Sequence, residues 1–261
     1  MQPFSGKTAI VTGAAQGIGR TTARRFAEDG ALVCVADRNG DGAEATAAAI
    51  RAAGGKAFAL CVDVASADDN ERMVRECVER GGGIDIAFLN AAYLGPLGDF
   101  FDSTLEEFDR VISVNLRGCY LGLKSVGRAI RRGGSVIVAS SAAGTTGWGV
   151  NAAYSASKHG VIGLVRSSAE AFAAKGARVN AICPGMINTA MSPSAVRSGV
   201  PDAAVPADEL QMPAFRGLAS TQHVAEFVLY LASNRAAFLT GGVHIIDGGM
   251  LSSFATGPGQ E

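Results

Sequence analysis

Two side chains four residues apart open the case for chemistry: Tyr154 and Lys158, in the stretch Tyr-Ser-Ala-Ser-Lys. On a helix, residues four apart share a face, so a phenol and an ammonium can reach one pocket. A free tyrosine titrates near about 10. A neighbouring cation favours the phenolate and brings the group toward use as an acid–base centre. Taken alone, the pair reads better as an exposed lysine beside a half-buried tyrosine. Ser140 and Ser141, at the end of the apolar run Ser135–Ala139, add hydroxyls able to donate to a substrate oxygen. Asn115 adds an asparagine in mid-helix, where that residue is mildly unfavourable and needs a reason.

A second group sits at the other end of the chain. Thr12-Gly13-Ala14-Ala15-Gln16-Gly17-Ile18-Gly19 joins an apolar run to a helical pattern. A diphosphate has to approach backbone N–H groups at a helix N-terminus, and side chains block that approach. With 34 glycines in the chain, a glycine cluster by itself is weak evidence, and its strand–turn–helix setting is what carries weight. Asp37 ends the next strand. A carboxylate there can accept from both adenosine ribose hydroxyls and repels a 2′-phosphate, which favours NAD over NADP. Gln16, before Gly17, gives the turn no second cation beside Arg38. Asp63 and Val64 follow the third strand, where an aspartate can cap the next helix.

These groups need a frame, and hydrophobic periodicity supplies one. Strands are expected at 7–12, 31–36, 56–61, 84–89, 135–139, 178–183 and 243–246. Helices are expected at 17–29, 42–53, from a Ser66 cap to 80, from a Thr104 cap to 130 with Glu107 at capping-box spacing, at 151–174 and at 222–232. The alternation implies an α/β fold: one doubly wound parallel sheet of about seven strands, helices on both faces, residues 1–261 as a single domain. Met186–Gly217, with Pro193, Pro201, Pro206 and Pro213, escapes the alternation and reads as a substrate-binding loop. Its Met186, Met191, Val196 and Met212 suggest a small or medium apolar substrate.

Composition narrows the rest. Hydrophobic residues make up 48 % of the 261 and charged residues 18 %, enough for a large core. A net charge of −1 gives no footprint for nucleic acid or anionic membrane. No apolar run reaches membrane-span length, and Met1–Lys7 lacks signal-peptide character. Cys34, Cys61, Cys77, Cys119 and Cys183 are odd in number and widely spaced, as reduced and mostly buried thiols of a cytoplasmic protein would be. No metal motif is visible. His159, His223 and His244 stand isolated. Trp148 either lines the pocket or meets a neighbouring subunit.

The Gly-x-x-x-Gly-x-Gly turn, Asn90-Ala91-Ala92, Ser141 thirteen residues before Tyr154, Tyr-x-x-x-Lys, Pro184-Gly185 and Asp247-Gly248-Gly249 together resemble the short-chain dehydrogenase/reductase family over essentially the whole chain. The resemblance implies a catalytic set of Asn115, Ser141, Tyr154 and Lys158, with Asn115 holding a proton-relay water and Lys158 lowering the tyrosine pKa and binding nicotinamide ribose. Ser140 is held in reserve. Cofactor contacts would be Gly13, Gln16, Gly17, Ile18, Gly19, Asp37, Asp63, Val64, Asn90, Ala91, Pro184, Gly185, Ile187 and Thr189, besides Tyr154 and Lys158. Ala92 stands where the family usually has glycine and adds a methyl group near the cofactor. The stretch Lys158–Arg166 also resembles the active-site helix of dihydrodiol dehydrogenases. The implied activity is NAD-dependent interconversion of a secondary alcohol and a ketone, a cyclic alcohol, polyol or dihydrodiol among the candidates. The implied assembly is a homotetramer through Leu105–Ile130 and Asn151–Ala174. An NAD(H)-sensing regulator and an NADPH-dependent 3-oxoacyl reductase are the alternatives. A sensor has no need of the four catalytic residues, and the reductase conflicts with Asp37.

Overall fold

The computed structural model describes residues 2–191 and 218–252. Strands β1 (Thr8–Thr12), β2 (Leu32–Asp37), β3 (Lys56–Cys61), β4 (Ile84–Leu89), β5 (Ile130–Ala139), β6 (Arg178–Pro184) and β7 (Val243–Ile246) form one sheet in the order β3-β2-β1-β4-β5-β6-β7. Every pairing is parallel. β1 and β4 are buried at every position. That is why their sequences are continuous apolar runs: both faces of a central parallel strand are covered.

Helices α1 (Gly17–Glu28), α2 (Gly40–Ala52) and α7 (Thr221–Ala232) cover one face, and α3 (Ala67–Gly81), α5 (Gly118–Ala129) and α6 (Ala152–Ala174) cover the other. On the first face Phe26, Ala47, Ile50 and Val228 close over Val33, Val35 and Phe88. On the second, Met73, Val126, Val165 and Phe172 close over Ile10, Val136 and Val138. Two cores back to back on one sheet fix its plane. The strand ends then project a rigid rim on which loops can carry chemistry.

Ser66 and Thr104 cap their helices as expected, accepting from Asp69 N at 3.2 Å and Glu107 N at 3.3 Å. Most boundaries fall within two residues of the sequence reading, and two differ by more. The helix expected to run from Leu105 to Ile130 is two: α4 (Leu105–Ile112) and α5, joined by a π-helical turn, Ser113–Arg117. The apolar period survives this one-residue expansion, so nothing in the pattern reveals it. β5 begins at Ile130, five residues early, because Ile130 pairs Ile84 ahead of a register shift while Arg131–Gly134 carry no strand pattern. Among the described residues, no helix is long and apolar enough to cross a membrane. Of the 186–217 loop, Pro193, Val196, Pro201, Pro206, Met212 and Pro213 lie outside the described residues, as does the tail beyond Ser252. The loop's described ends meet: Ile187 bridges Ala219, and Asn188 N donates to Ala219 O at 2.9 Å.

Candidate active site

The chain leaves β1 toward β2 on one side and β4 toward β5 on the other, so a crevice opens at their carboxyl ends. A cleft of about 980 Å³ occupies it. Its wall includes Gly13, Gln16, Gly17, Ile18, Asp37, Asp63, Val64, Asn90, Ala91, Ser141, Tyr154, Lys158, Pro184, Gly185, Ile187 and Thr189. Two expected site residues are not on it. Gly19 is buried in α1, and Asn115 lines a small separate pocket beneath.

The glycine turn is held tightly. Gly13 has φ +66°. A Cβ on Gly19 would lie 2.2 Å from Gly13 O, so the helix start needs glycine to approach the turn. Thr12 Oγ1 accepts from Asn90 N (2.9 Å) and Ala91 N (3.1 Å), while Asn90 Nδ2 donates to Thr12 O at 3.1 Å. Asn90 therefore locks the end of β4 to the turn. Asp37 Oδ2 accepts from Ala15 N at 3.0 Å and Oδ1 from Asn39 N at 2.9 Å. Each oxygen keeps a lone pair for a further donor. Asp63 Oδ1 accepts from Ala65 N at 2.9 Å, the turn-capping arrangement, with the residue still on the cleft wall. Open glycine backbone at a helix start, followed by a carboxylate at the end of β2, fits the diphosphate and ribose of a dinucleotide.

At the other end, Asn151 caps α6. Its Oδ1 accepts from Tyr154 N at 2.9 Å and its Nδ2 donates to Leu94 O at 2.7 Å. The cap thus fixes Tyr154 to the loop after β4. Trp148 lines the cleft with its ring edge-on to Tyr154, centroids 6.2 Å apart. Lys158 is buried, and its Nζ donates to Ala139 O at 2.8 Å. Ser140 Oγ donates to Lys158 O at 2.8 Å and is spent on packing, so Ser141 is the serine available to a ligand. Asn115 Oδ1 accepts from Tyr93 N (2.7 Å), and its Nδ2 donates to Tyr93 O (2.9 Å) and Ser157 Oγ (3.0 Å). Ser157 in turn donates to Tyr154 O at 2.7 Å. Both amide hydrogens of Asn115 are used by protein, leaving its main chain and one Oδ1 lone pair for a water.

Burial pushes the Tyr154 phenol up to about 12, and the Ser141 hydroxyl, hydrogen-bonded to it, pulls the other way. The Lys158 ammonium stands 5.5 Å from the centre of the Tyr154 ring. Burial likewise lowers Lys158 to about 8; the groups favouring its proton are the thiols of Cys119 and Cys183, and burial holds Cys119 itself up at about 12.

Sequence reasoning missed Asn151, Ser157 and Tyr93 as scaffolding. Asn151 was findable as an N-cap at the helix start, whereas Tyr93 and Ser157 have no signal outside the fold. It also missed Met250 and Leu251, which line the cleft. Asp247, read as a structural turn, accepts from Gly249 N and Leu251 N at 2.8 Å each and delivers them there.

A family model described as enoyl-(acyl carrier protein) reductase matches residues 13–251. A short-chain dehydrogenase/reductase of Armillaria gallica is 37 % identical over 252 residues, 94 % of this chain and 96 % of that one. A cyclohexanol dehydrogenase of Acinetobacter is 33 % identical over 251 residues, 95 % of this chain and 96 % of that one. A solved levodione reductase is 34 % identical with a TM-score of 0.90, covering 96 % of this chain and 100 % of that one. A short-chain dehydrogenase from Burkholderia cenocepacia, solved with NADP, is 29 % identical with a TM-score of 0.86, covering 95 % of this chain and 99 % of that one. The chain belongs to the short-chain dehydrogenase/reductase family, and its class is oxidoreductase.

Proposed function

We propose that the protein is an NAD-dependent dehydrogenase interconverting a secondary alcohol and a ketone, with a small or medium cyclic substrate favoured. The observation that carries this reading is one continuous cleft with Asp37 and the glycine turn at one end and Ser141, Tyr154 and Lys158 at the other. Nicotinamide accepts or donates the hydride. The protein's part is binding, orientation and the proton. Gly13, Gly17 and the α1 N-terminus hold the diphosphate. Asp37 takes the adenosine ribose and disfavours a 2′-phosphate, and that charge supports NAD. Ile187 and Thr189 stand at the nicotinamide end. Tyr154 takes the hydroxyl proton during oxidation and returns it during reduction. Ser141, already bonded to that phenol, steadies the substrate oxygen. Lys158 takes the nicotinamide ribose and supplies the positive charge against which the phenolate forms. Asn115 offers its main chain to the relay water. A homotetramer fits the exposure of Leu105 (83 %) and Tyr120 (49 %) on α4 and α5, and sedimentation showing only monomer would reject it.

The test is appearance of the NADH absorbance band with NAD, then NADP, across cyclic alcohols, polyols, hydroxy acids and dihydrodiols. Turnover with NAD that Tyr154→Phe reduces by about 1,000-fold or more is expected. Tight NADH binding with no turnover, unchanged in the variant, rejects the enzyme reading in favour of a sensor.

A further inference from the structure

The cleft's charges are segregated. Among the described residues, Asp37, Arg38 and Asp63 line its adenosine end, beyond β2 and β3, while the charged residues lining its catalytic end are the cations Lys158 and Arg110. Lys158 is buried and bonded to Ala139 O. Arg110, on α4, makes no ion pair or side-chain hydrogen bond among the described residues, although Glu106 and Glu107 lie one turn before it on the same helix. Its guanidinium carbon instead stands 4.5 Å from the centre of the Tyr93 ring. Stacking uses one face of the guanidinium and leaves its rim of N–H donors open. The platform is fixed, because Asn115 grips Tyr93 through both main-chain groups and reaches Tyr154 through Ser157.

We propose that Arg110, seated on Tyr93, is an anion-recognition residue that selects substrates carrying a carboxylate in addition to the reacting alcohol or ketone. A planar fork with open donors suits a carboxylate bidentately, which a lysine in its place could not match. The apolar residues of the same cleft wall, Leu94, Trp148, Met191 and Leu251 among them, suit a hydrocarbon ring between the acid and the carbonyl carbon. The class is therefore a cyclic hydroxy or keto acid. The substrate assignment rests on the dehydrogenase reading, whereas the anion site can be measured without turnover.

Trp148 is the sole tryptophan and lines the catalytic end, so its fluorescence reports occupancy there. With NAD present, cyclohexanecarboxylate and its neutral isostere cyclohexanecarboxamide are titrated by fluorescence and by calorimetry against the native protein, Arg110→Gln and Arg110→Lys. The native protein is expected to prefer the carboxylate by about 10-fold or more. Arg110→Gln should bring the two ligands within about 2-fold, and Arg110→Lys should fall between. No carboxylate binding, no preference in the native protein, or a preference that survives Arg110→Gln overturns the proposal. In parallel, 4-hydroxycyclohexanecarboxylate is offered with NAD. Carboxylate preference without NADH formation counts against the dehydrogenase reading and leaves the anion site standing.

Discussion

The two ends of the sheet handle charge in opposite ways. At the amino ends of β1 and β4, the buried Asp85 side chain accepts from Lys7 Nζ at 3.0 Å, Arg131 Nη1 at 2.9 Å and Thr8 N at 3.0 Å. Both cations are partly in water, with side chains 50 % and 38 % exposed. The carboxylate is neutralised and fully used. At the carboxyl ends, Lys158 is buried with a neutral carbonyl as its hydrogen-bond acceptor, and burial has lowered its pKa to about 8. One end ties strands together. The other holds a charge that the fold does little to stabilise, and such strain is tolerated where chemistry requires it.

The contrast can be broken most forcefully at the carboxyl ends, where Tyr154→Phe should remove nearly all turnover while leaving the fold intact. At the amino ends, Asp85→Ala should lower stability by about 2–3 kcal/mol, because Thr8 N loses its acceptor in a buried strand. Lys7 and Arg131 can turn to water, which keeps the loss below that of a fully buried pair. Activity per folded molecule should not change, as urea unfolding and NADH formation measured together would show. A loss of activity with no loss of stability would reverse the assignment of the two ends. A smaller effect is expected from Asp37→Ala. The preference for NADP relative to NAD should rise about 10- to 100-fold, with some loss of NAD affinity because Ala15 N loses its partner. A preference that does not move would remove the charge argument for NAD.

Legibility in the sequence divides along similar lines. Strands buried on both faces announce themselves as apolar runs, and β3, β4 and β7 begin and end where periodicity puts them. The cleft-wall glycines, Asp37, Ser141, Tyr154 and Lys158 were legible because their chemistry dictates their types and spacing. What was not legible depends on distance in the chain. Tyr93 and Asn115 are 22 residues apart and Asn115 and Ser157 42 apart; Asn115 stands out as a mid-helix asparagine, but its partners Tyr93 and Ser157 are unremarkable in their own segments. The π-helical turn at Ser113–Arg117 turns Asn115 toward that network, yet it leaves the apolar pattern unbroken. The burial of Tyr154 was not legible for a related reason: spacing shows a cation nearby but not the depth at which the phenol lies.

The most direct measurement is Lys158→Met, followed by both NADH formation and thermal unfolding across pH. An unfolded lysine titrates near 10.5 and the buried one near 8. Below pH 8 both states are protonated and the native state bears the full cost, up to about 3 kcal/mol. Between pH 8 and 10.5 the unfolded state holds more protons, so native stability from this group rises and the cost fades. After the lost bond to Ala139 O is set against it, the variant should be more stable than the native protein by about 1–2 kcal/mol at pH 7. That gap should close toward pH 10.5, and turnover should be nearly abolished. A variant that turns over normally, or one destabilised at pH 7 as Asp85→Ala is expected to be, would contradict the account.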